Sequence, residues 1–432
     1  MNRFALSGSG AALGFIAGLA FLAAAGGAED PQSAFRALDR FGEAFAIVQA
    51  DYVEQPDDRL LVENALNGMI SSLDPHSSYF DPKTYADMQV RTEGQYGGVG
   101  IVIAADNGAI KVVSPIDDTP AAKAGIKSGD IILAVDGKGL QGLSLDSVQG
   151  LLRGKAGTKL TLTLLRAGEA KSFEVKLVRA AIEVEAVKFH RDGDVGYIRI
   201  PAFNEHTDTG LETAVRALRK QIGPKLKGYI VDLRDNGGGV LDQAIAVSDD
   251  FLDSGEIVST RGRNPADTTR YDAKPGDITG GKRIVVLING GTASASEIVA
   301  GALQDHRRAT IVGMTSFGKA SVQTIIPLNG GEDGALHLTT ARYYTPSGRS
   351  IQATGIVPDI AVAQGDESAP VPSIERYSEA DLPHHLQAET TGTAAPLAPI
   401  RPPPGQKFDD FQLSYALALL DGKSASLTAR GK

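Results

Sequence analysis

Residues 283–306 constrain the fold of this chain more than any other stretch. Arg283 to Ile288 is almost entirely β-branched or leucine, which predicts a strand buried on both faces. The run breaks at Asn289-Gly290-Gly291 and restarts as a helix predicted over Ser296–His306. A buried strand handed to a helix across a glycine turn belongs to an α/β layer architecture. Ser294 then stands at a helix N-terminus, where free backbone N–H groups and the helix dipole favour developing negative charge. A nucleophile and an oxyanion hole can be built together there. Twenty-five residues on, Phe317-Gly318-Lys319 puts a lysine on a glycine turn after another strand, as a candidate base.

The surrounding sequence, from Val184 to about Asp359, alternates strands and helices. Gly196 to Ile200 and Gly228 to Asp232 read as strands, with an amphipathic helix over Gly210 to Ile222 between them. Asp232-Leu-Arg-Asp-Asn236-Gly237-Gly238-Gly239 follows the second strand directly. Consecutive glycines let a backbone approach a ligand closely and turn its amides inward. The amide of Gly238 or Gly239, together with that of Ala295, is the predicted oxyanion hole.

At 432 residues the chain is too long for one ordinary core, so several domains are expected. A formal net charge of −9, with no basic stripe, argues against nucleic-acid partners. Cysteine is absent, which excludes thiolate zinc, disulfides and Cys nucleophiles. Neither histidines nor carboxylates cluster at ligand spacing, so no metal site is expected. At the N-terminus, Met1-Asn2-Arg3 precedes an apolar run from Ala11 to Ala25 and small-residue cleavage sites at Ala23-Ala24-Ala25 and Gly26-Gly27-Ala28. Residues 1–28 therefore read as a signal peptide or membrane anchor, and export follows either way.

Residues 32–92 read as a helical region, with Phe35, Leu38, Phe41, Phe45, Val48 and Tyr52 at helical spacing as its expected core. Asp74-Pro75-His76-Ser77-Ser78 ends its helical pattern. Residues 95–180 then run from a glycine loop, Gly97-Gly98-Val99-Gly100-Ile101, through a short helix at Pro120 to Gly129-Asp-Ile-Ile-Leu-Ala-Val-Asp-Gly137. A helix with Val148, Leu151 and Leu152 follows, and Leu160 to Leu165 alternates as a closing strand. This order resembles a PDZ domain, which adds an extended peptide to its sheet edge and holds the terminal carboxylate on loop amides. Gly97, Gly98, Val99, Gly100 and Ile101 are the contacts implied, with Arg153 as a cation for the peptide or the neighbouring domain. Residues 181–365 form the α/β core, and 366–407 are proline-rich and read as a loose linker. Residues 408–432 hold an amphipathic helix over Phe408 to Leu420 and a tail.

Histidine is the commoner base. His306 sits about three turns along the helix after Ser294, roughly 18 Å away, which leaves His190 and His206 as alternatives to Lys319. Lysine requires its reference pKa near 10.4 to fall to about 7–8, which burial can bring about, and the neighbours Phe317, Gly318 and Ala320 permit it with no adjacent acid. Gln323 lies four residues beyond Lys319 and could orient the amine only if its strand bends. Gly313 to Lys319 imitates a phosphate loop, but Ala320 lacks the magnesium-binding hydroxyl and a strand follows where a helix is needed. A PDZ scaffold with an inactive core and an acyl-CoA enzyme are the rival function classes.

Together these pieces resemble the carboxy-terminal processing (tail-specific) proteases, PDZ-containing serine peptidases of family S41. The resemblance spans roughly residues 35–362. It rests on Leu73 to Ser78, Gly129 to Gly137, Leu233 to Gly239, Ser294-Ala-Ser-Glu-Ile298, Phe317 to Lys319 and Val322-Gln323. Thr345 to Gln352 and Gly355-Ile-Val-Pro-Asp359 complete it. It implies Ser294 as nucleophile, Lys319 as base, Gln323 as the orienting residue, and Ser296 as a helix N-cap. It further implies a crotonase-like protease core with an inserted PDZ domain, an N-terminal helical region used for assembly, and no cofactor. Expected partners are protein C-termini, a lipoprotein adaptor, a second copy of the chain and, at the N-terminus, a membrane. The expected location is the periplasm or the periplasmic face of the inner membrane. Ala320 where glycine is usual, and Gly237 where proline is common, are departures in loop geometry.

Overall fold

The computed structural model describes residues 31–423 apart from 107–108, 117, 142, 144, 167–168, 170, 184, 366–377, 390–397 and 404. The predicted export segment lies outside the described residues. The chain divides into two units, Met1–Leu66 and Asn67–Lys432. The first unit holds α1 (Pro31–Asp51) and most of α2 (Asp58–Ser71). The apolar stripe of α1 was expected as core, yet Phe35, Leu38, Phe41, Val48 and Tyr52 are all exposed. Periodicity shows that a helix face is built to be covered; it does not say by what.

The second unit begins with β1 (Ser78–Phe80) and α3 (Pro82–Glu93). Asp81 caps α3 by accepting from the Thr84 N–H, proline occupies its first turn, and left-handed Gly94 ends it. Next come β2 (Gln95–Gly98), β3 (Ile101–Asp106), β4 (Ala109–Pro115), α4 (Pro120–Lys123), β5 (Ile131–Val135), β6 (Lys138–Gly139), α5 (Leu145–Leu152), β7 (Lys159–Leu165), β8 (Phe173–Val178) and β9 (Ala180–Glu183). The strands β3-β4-β5-β7-β8 form one antiparallel sheet, with β6 beside β5. Leu160, Leu162 and Leu164 of β7 all point into its core, as period-two alternation requires. The entry strand β2 and exit strand β9 pair with each other, forming a stem for the inserted lobe.

The α/β core follows: β10 (Lys188–Asp192), β11 (Val195–Arg199), α6 (Thr207–Ile222), β12 (Gly228–Asp232), α7 (Leu241–Asp249), β13 (Gly255–Gly262), β14 (Thr268–Ala273), β15 (Arg283–Ile288) and α8 (Ala295–Asp305). After them come β16 (Ala309–Gly313), β17 (Ser321–Pro327), β18 (Ala335–Tyr344), β19 (Ile360–Ala361) and α9 (Phe411–Leu420). The main sheet has the order β10-β11-β12-β15-β16-β19 and is parallel from β11 onward. Alternate residues of its buried strands serve two cores. Ile284, Val286 and Ile288 face the layer containing α6, α7 and α8, while Val285 and Leu287 face Phe411, Tyr415 and Leu420 of α9. A second, antiparallel sheet has the order β1-β18-β13-β14, with β17 also on β18. It brings the Asp74–Phe80 region beside residues 335–339.

The C-terminal part departs from the sequence reading. Residues 378–389 were expected within a loose linker, but Glu379 is fully buried on a single helical turn, Glu379–Asp381. Ile400 pairs with the backbone of Ala361 and Ala363. Proline content marks where regular structure stops; here buried polar anchors still fix the path. The final helix starts at Phe411 rather than Phe408, because Asp410 caps it by accepting from the Leu413 N–H.

Candidate active site

β15 ends at Ile288 and the chain turns through residues 289–293 into Ser294, the residue preceding α8. Ser294 has φ 56° and ψ −118°, a region that costs a side-chain-bearing residue about 1–3 kcal/mol. Ser296, expected as the cap, lies inside the helix instead; it is fully buried and donates its hydroxyl to the Asn236 carbonyl. The helix starts one residue earlier than the sequence pattern suggested.

The glycine loop after β12 packs directly on this turn. Asn236, fully buried, accepts from the Gly238 N–H at 2.8 Å and donates to the Ile200 carbonyl. Its own carbonyl accepts from the Ala293 N–H at 2.9 Å. A side chain at Gly238 would lie 2.8 Å from Ser294 Cβ and 3.0 Å from the Ala295 nitrogen. Of the three predicted oxyanion donors, Gly238 is thus already engaged by Asn236. The N–H groups of Gly239 and Ala295 have no acceptor among the described residues.

Two buried side chains join the Ser294 turn to the Lys319 loop. Glu297, three residues after Ser294, accepts from the N–H groups of Ser294, Gly318 and Lys319 at 2.9, 2.7 and 2.9 Å, and from the Ser316 hydroxyl. Burial pushes its carboxyl up to about 7, while the donated hydrogen bonds favour the carboxylate. Tyr343, on β18, donates its hydroxyl between the carbonyls of Ser294 and Lys319.

Ser294, Ala295, Lys319, Gln323 and His337 line one cleft of about 480 Å³, whose apolar walls include Met88, Phe203, Val240, Leu241, Ile298 and Ile325. Burial drives the Lys319 amine below its ordinary pKa; Glu379, Glu297 and Asp74 oppose that shift. No acid adjoins Lys319 in sequence, and these three reach it only through the fold. The amine has no hydrogen-bond partner among the described residues. Gln323 reaches the same cleft because β17 carries a bulge between Val322 and Gln323, the bend that sequence spacing required. Its Nε2 donates to the hydroxyls of Ser321 and Thr339, which leaves Oε1 as an open acceptor.

The alternative histidines lie elsewhere. His190 packs at a tilt against Tyr197, and His306, already excluded by its distance along the helix, bonds the Glu256 carbonyl. His206 precedes α6 with its Nε2 buried and unpaired. His337, on β18, is the histidine in the cleft; burial lowers its pKa, and the nearby Lys319 charge adds to that. His337, Glu297, Asn236 and Tyr343 escaped the sequence reading. Only Glu297 carried a local signal, the three-residue capping-box spacing from Ser294.

In the inserted lobe, a groove is lined by Val99, Gly100, Ile101 and Arg153, four of the residues named from sequence, and by Tyr96, Ile103, Gln149 and Leu152. Gly97 and Gly98 belong to β2 instead, and a side chain at Gly97 would strike the Gly154 carbonyl. Arg153 lies over the Tyr96 ring and bonds Asp87 of α3 at 3.3 Å. Met88, Arg91 and Thr92, on that same helix, line the cleft that holds Ser294 and Lys319. One helix therefore lines the cleft and bonds a residue of the groove.

Comparison with known proteins agrees with this architecture. Residues 194–362 match the family model for peptidase family S41, 88–177 a PDZ domain, and 22–84 the N-terminal domain of the activating protease CtpB. The chain is 52% identical over 405 residues to the carboxy-terminal-processing protease of Bartonella bacilliformis, covering 91% of this chain and 90% of that one. It belongs to peptidase family S41. The carboxy-terminal processing protease CtpA of Bacillus subtilis is 35% identical over 84% of this chain and 75% of that one. A solved photosystem II D1 C-terminal processing protease is 30% identical, covering 75% of this chain and 92% of that one, with a TM-score of 0.43. The S41 assignment makes this chain a carboxy-terminal processing serine protease with a PDZ domain.

Proposed function

We propose that this S41 protease cleaves exported proteins with a Ser294–Lys319 dyad assisted by Gln323, after its PDZ groove has taken their C-terminal tails. The observation that carries the reading is the shared cleft: a strained serine, a largely buried amine without a hydrogen-bond partner among the described residues, and an open amide oxygen line it together. Neutral Lys319 accepts the Ser294 hydroxyl proton as the serine oxygen attacks the substrate carbonyl. The N–H groups of Gly239 and Ala295 receive the oxyanion, and Gly238 holds their spacing through Asn236. Lys319 then returns the proton to the leaving amine, and water releases the acyl-enzyme by the reverse sequence. Gln323 Oε1 accepts from the amine and aims it.

The tail's carboxylate docks on the amides of Val99 and Gly100, and its last apolar side chain enters the groove beside Ile101 and Leu152. Arg153 links that groove to α3. Export to the periplasm rests on residues 1–28, and retention there as an anchor would hold the enzyme at the inner membrane. No described helix is long and apolar enough to cross a membrane. The exposed apolar face of α1 suits a second copy of the chain, and a lipoprotein adaptor is a further partner to test. The domain division is the one drawn from sequence, with residues 378–389 and 398–403 added to the core.

The test uses residues 29–432 of the parent, Ser294→Ala and Lys319→Ala, each incubated with an unfolded protein bearing an apolar C-terminus. Cleavage by the parent and by neither variant is expected. Cleavage surviving in Lys319→Ala would transfer the base to His337, the histidine of the cleft.

A further inference from the structure

Glu379 lies beyond Val362, where the S41 match ends, in a segment whose proline content suggested a linker. It is nevertheless fully buried, and its N–H and carboxylate reach out of its own turn toward the lysine loop and the residues packed around it. Its N–H donates to the Phe317 carbonyl at 3.0 Å. Oε1 accepts from Gln352 Nε2 at 2.9 Å, and Gln352 Oε1 in turn accepts from the Ala320 N–H at 2.9 Å. Oε2 lies 2.7 Å from His76 Nε2. One residue therefore brackets Lys319 on both sides, through Phe317 before it and Ala320 after it.

Burying a carboxylate is costly unless its charge and lone pairs are satisfied. A simple clamp for this segment would need no charge at all. We propose that Glu379 is a positioning residue for the catalytic base: by docking, it fixes the Phe317–Ala320 loop and sets a buried negative charge against the lysine. The proposal rests on reading Lys319 as the base.

The groups facing Lys319 come from four elements: Glu379 on its own turn, Glu297 on α8, Asp74 before β1 and His337 on β18. Among the carboxylates, Glu379 does most to favour the protonated amine, against the burial that disfavours it. Glu379 itself faces His76 and Gln352. Since neutral lysine is the reactive form, activity rises with pH as the amine deprotonates. Removing the Glu379 charge therefore moves that rise to lower pH.

The experiment compares pH profiles of kcat/KM for the full chain and for Glu379→Gln, which keeps an acceptor for Gln352 and removes the charge. The expected result is an acid limb displaced downward by roughly half a pH unit or more. In Glu379→Asp, which keeps the charge but shortens the tether, the limb should stay in place while the plateau kcat falls several-fold. Acetylation of Lys319 by acetic anhydride against pH, read by mass spectrometry in a Ser294→Ala background, gives the same displacement without turnover. An unmoved limb in a folded Glu379→Gln protein overturns the proposal. If Glu379→Gln does not fold, an unchanged plateau in Glu379→Asp overturns it. Loss of cleavage in Lys319→Ala with an unmoved Glu379→Gln limb rejects this inference alone; retained cleavage in Lys319→Ala rejects the base assignment beneath it.

Discussion

Three adjacent glycines meet three different surroundings. At Gly237, an added methyl group meets nothing within 4 Å and the backbone needs no unusual angle. At Gly238, φ is 99° and the methyl falls 2.8 Å from Ser294 Cβ. At Gly239, φ is 141° and the methyl falls 2.0 Å from the Phe203 carbonyl oxygen. The loop cannot simply retreat, because the Phe203 N–H donates to the Gly238 carbonyl and the Val240 N–H to the Phe203 carbonyl. Backbone strain of about 1–3 kcal/mol, plus about 1 kcal/mol for each hydrogen bond broken, gives roughly 3–5 kcal/mol for Gly239→Ala. Displacing an oxyanion donor costs a further ~10²–10³ in kcat. Gly237→Ala should change stability by no more than about 0.5 kcal/mol and keep most of the activity. Thermal melting and kcat/KM on one unfolded substrate read all three. A folded Gly239→Ala with kcat within tenfold of the parent, or a Gly237→Ala as damaging as its neighbours, would refute the oxyanion assignment.

Three further outcomes follow from the same geometry. Burial lowers the Lys319 amine, so the acid limb of kcat/KM should lie below the ordinary lysine value near 10.4; a limb at or above 10.4 contradicts a buried base. Burial raises the Asp410 carboxyl, but hydrogen bonds from Arg234 and the Leu413 N–H more than offset this, so its pKa is lowered in the folded state. Its stabilisation is thus present above its unfolded value near 3.9 and lost as pH falls through the lowered one. Asp410→Ala should reduce Tm at pH 7, and the gap to the parent should close in acid; a gap independent of pH would be wrong. Phe411 is fully buried under the main sheet, so Phe411→Ala should cost about 3–5 kcal/mol in denaturant unfolding while the surviving folded protein cleaves normally.

Which parts were legible follows from how far their causes reach along the chain. Gly228 to Asp232 and Arg283 to Ile288 were readable because a strand buried on both faces needs an unbroken apolar run. Ser294 and Lys319 were readable because each sits at a glycine break. The bulge that brings Gln323 into the cleft is set by pairing with β18, so residues 319–323 alone could pose that bend but not supply it. Glu379 was hidden more deeply, since its burial depends on donors at His76 and Gln352, and proline content around it suggested the opposite. The face of α1 failed for another reason: apolar spacing is the same whether a helix is covered by its own chain or left exposed.

Buried carboxylates oppose the proposed role of Lys319 as base, and their hydrogen-bond partners limit that opposition. An amine drops its proton near neutrality only where burial outweighs nearby negative charge, yet two of the anchors of the loop carrying it, Glu297 and Glu379, are acidic. Glu297 resolves part of that conflict by directing its oxygens at backbone N–H groups of Ser294, Gly318 and Lys319, whose dipoles absorb much of its charge. Glu379 does the same through Gln352 and His76. Each carboxylate therefore holds the loop through one set of partners while its field at the amine is reduced by the same partners. Removing a donor instead of the carboxylate should then make Lys319 a weaker acid, because the bare charge faces it. Gln352→Leu should displace the acid limb upward, opposite to Glu379→Gln, and a downward displacement would show that these partners hold the loop without tempering the charge.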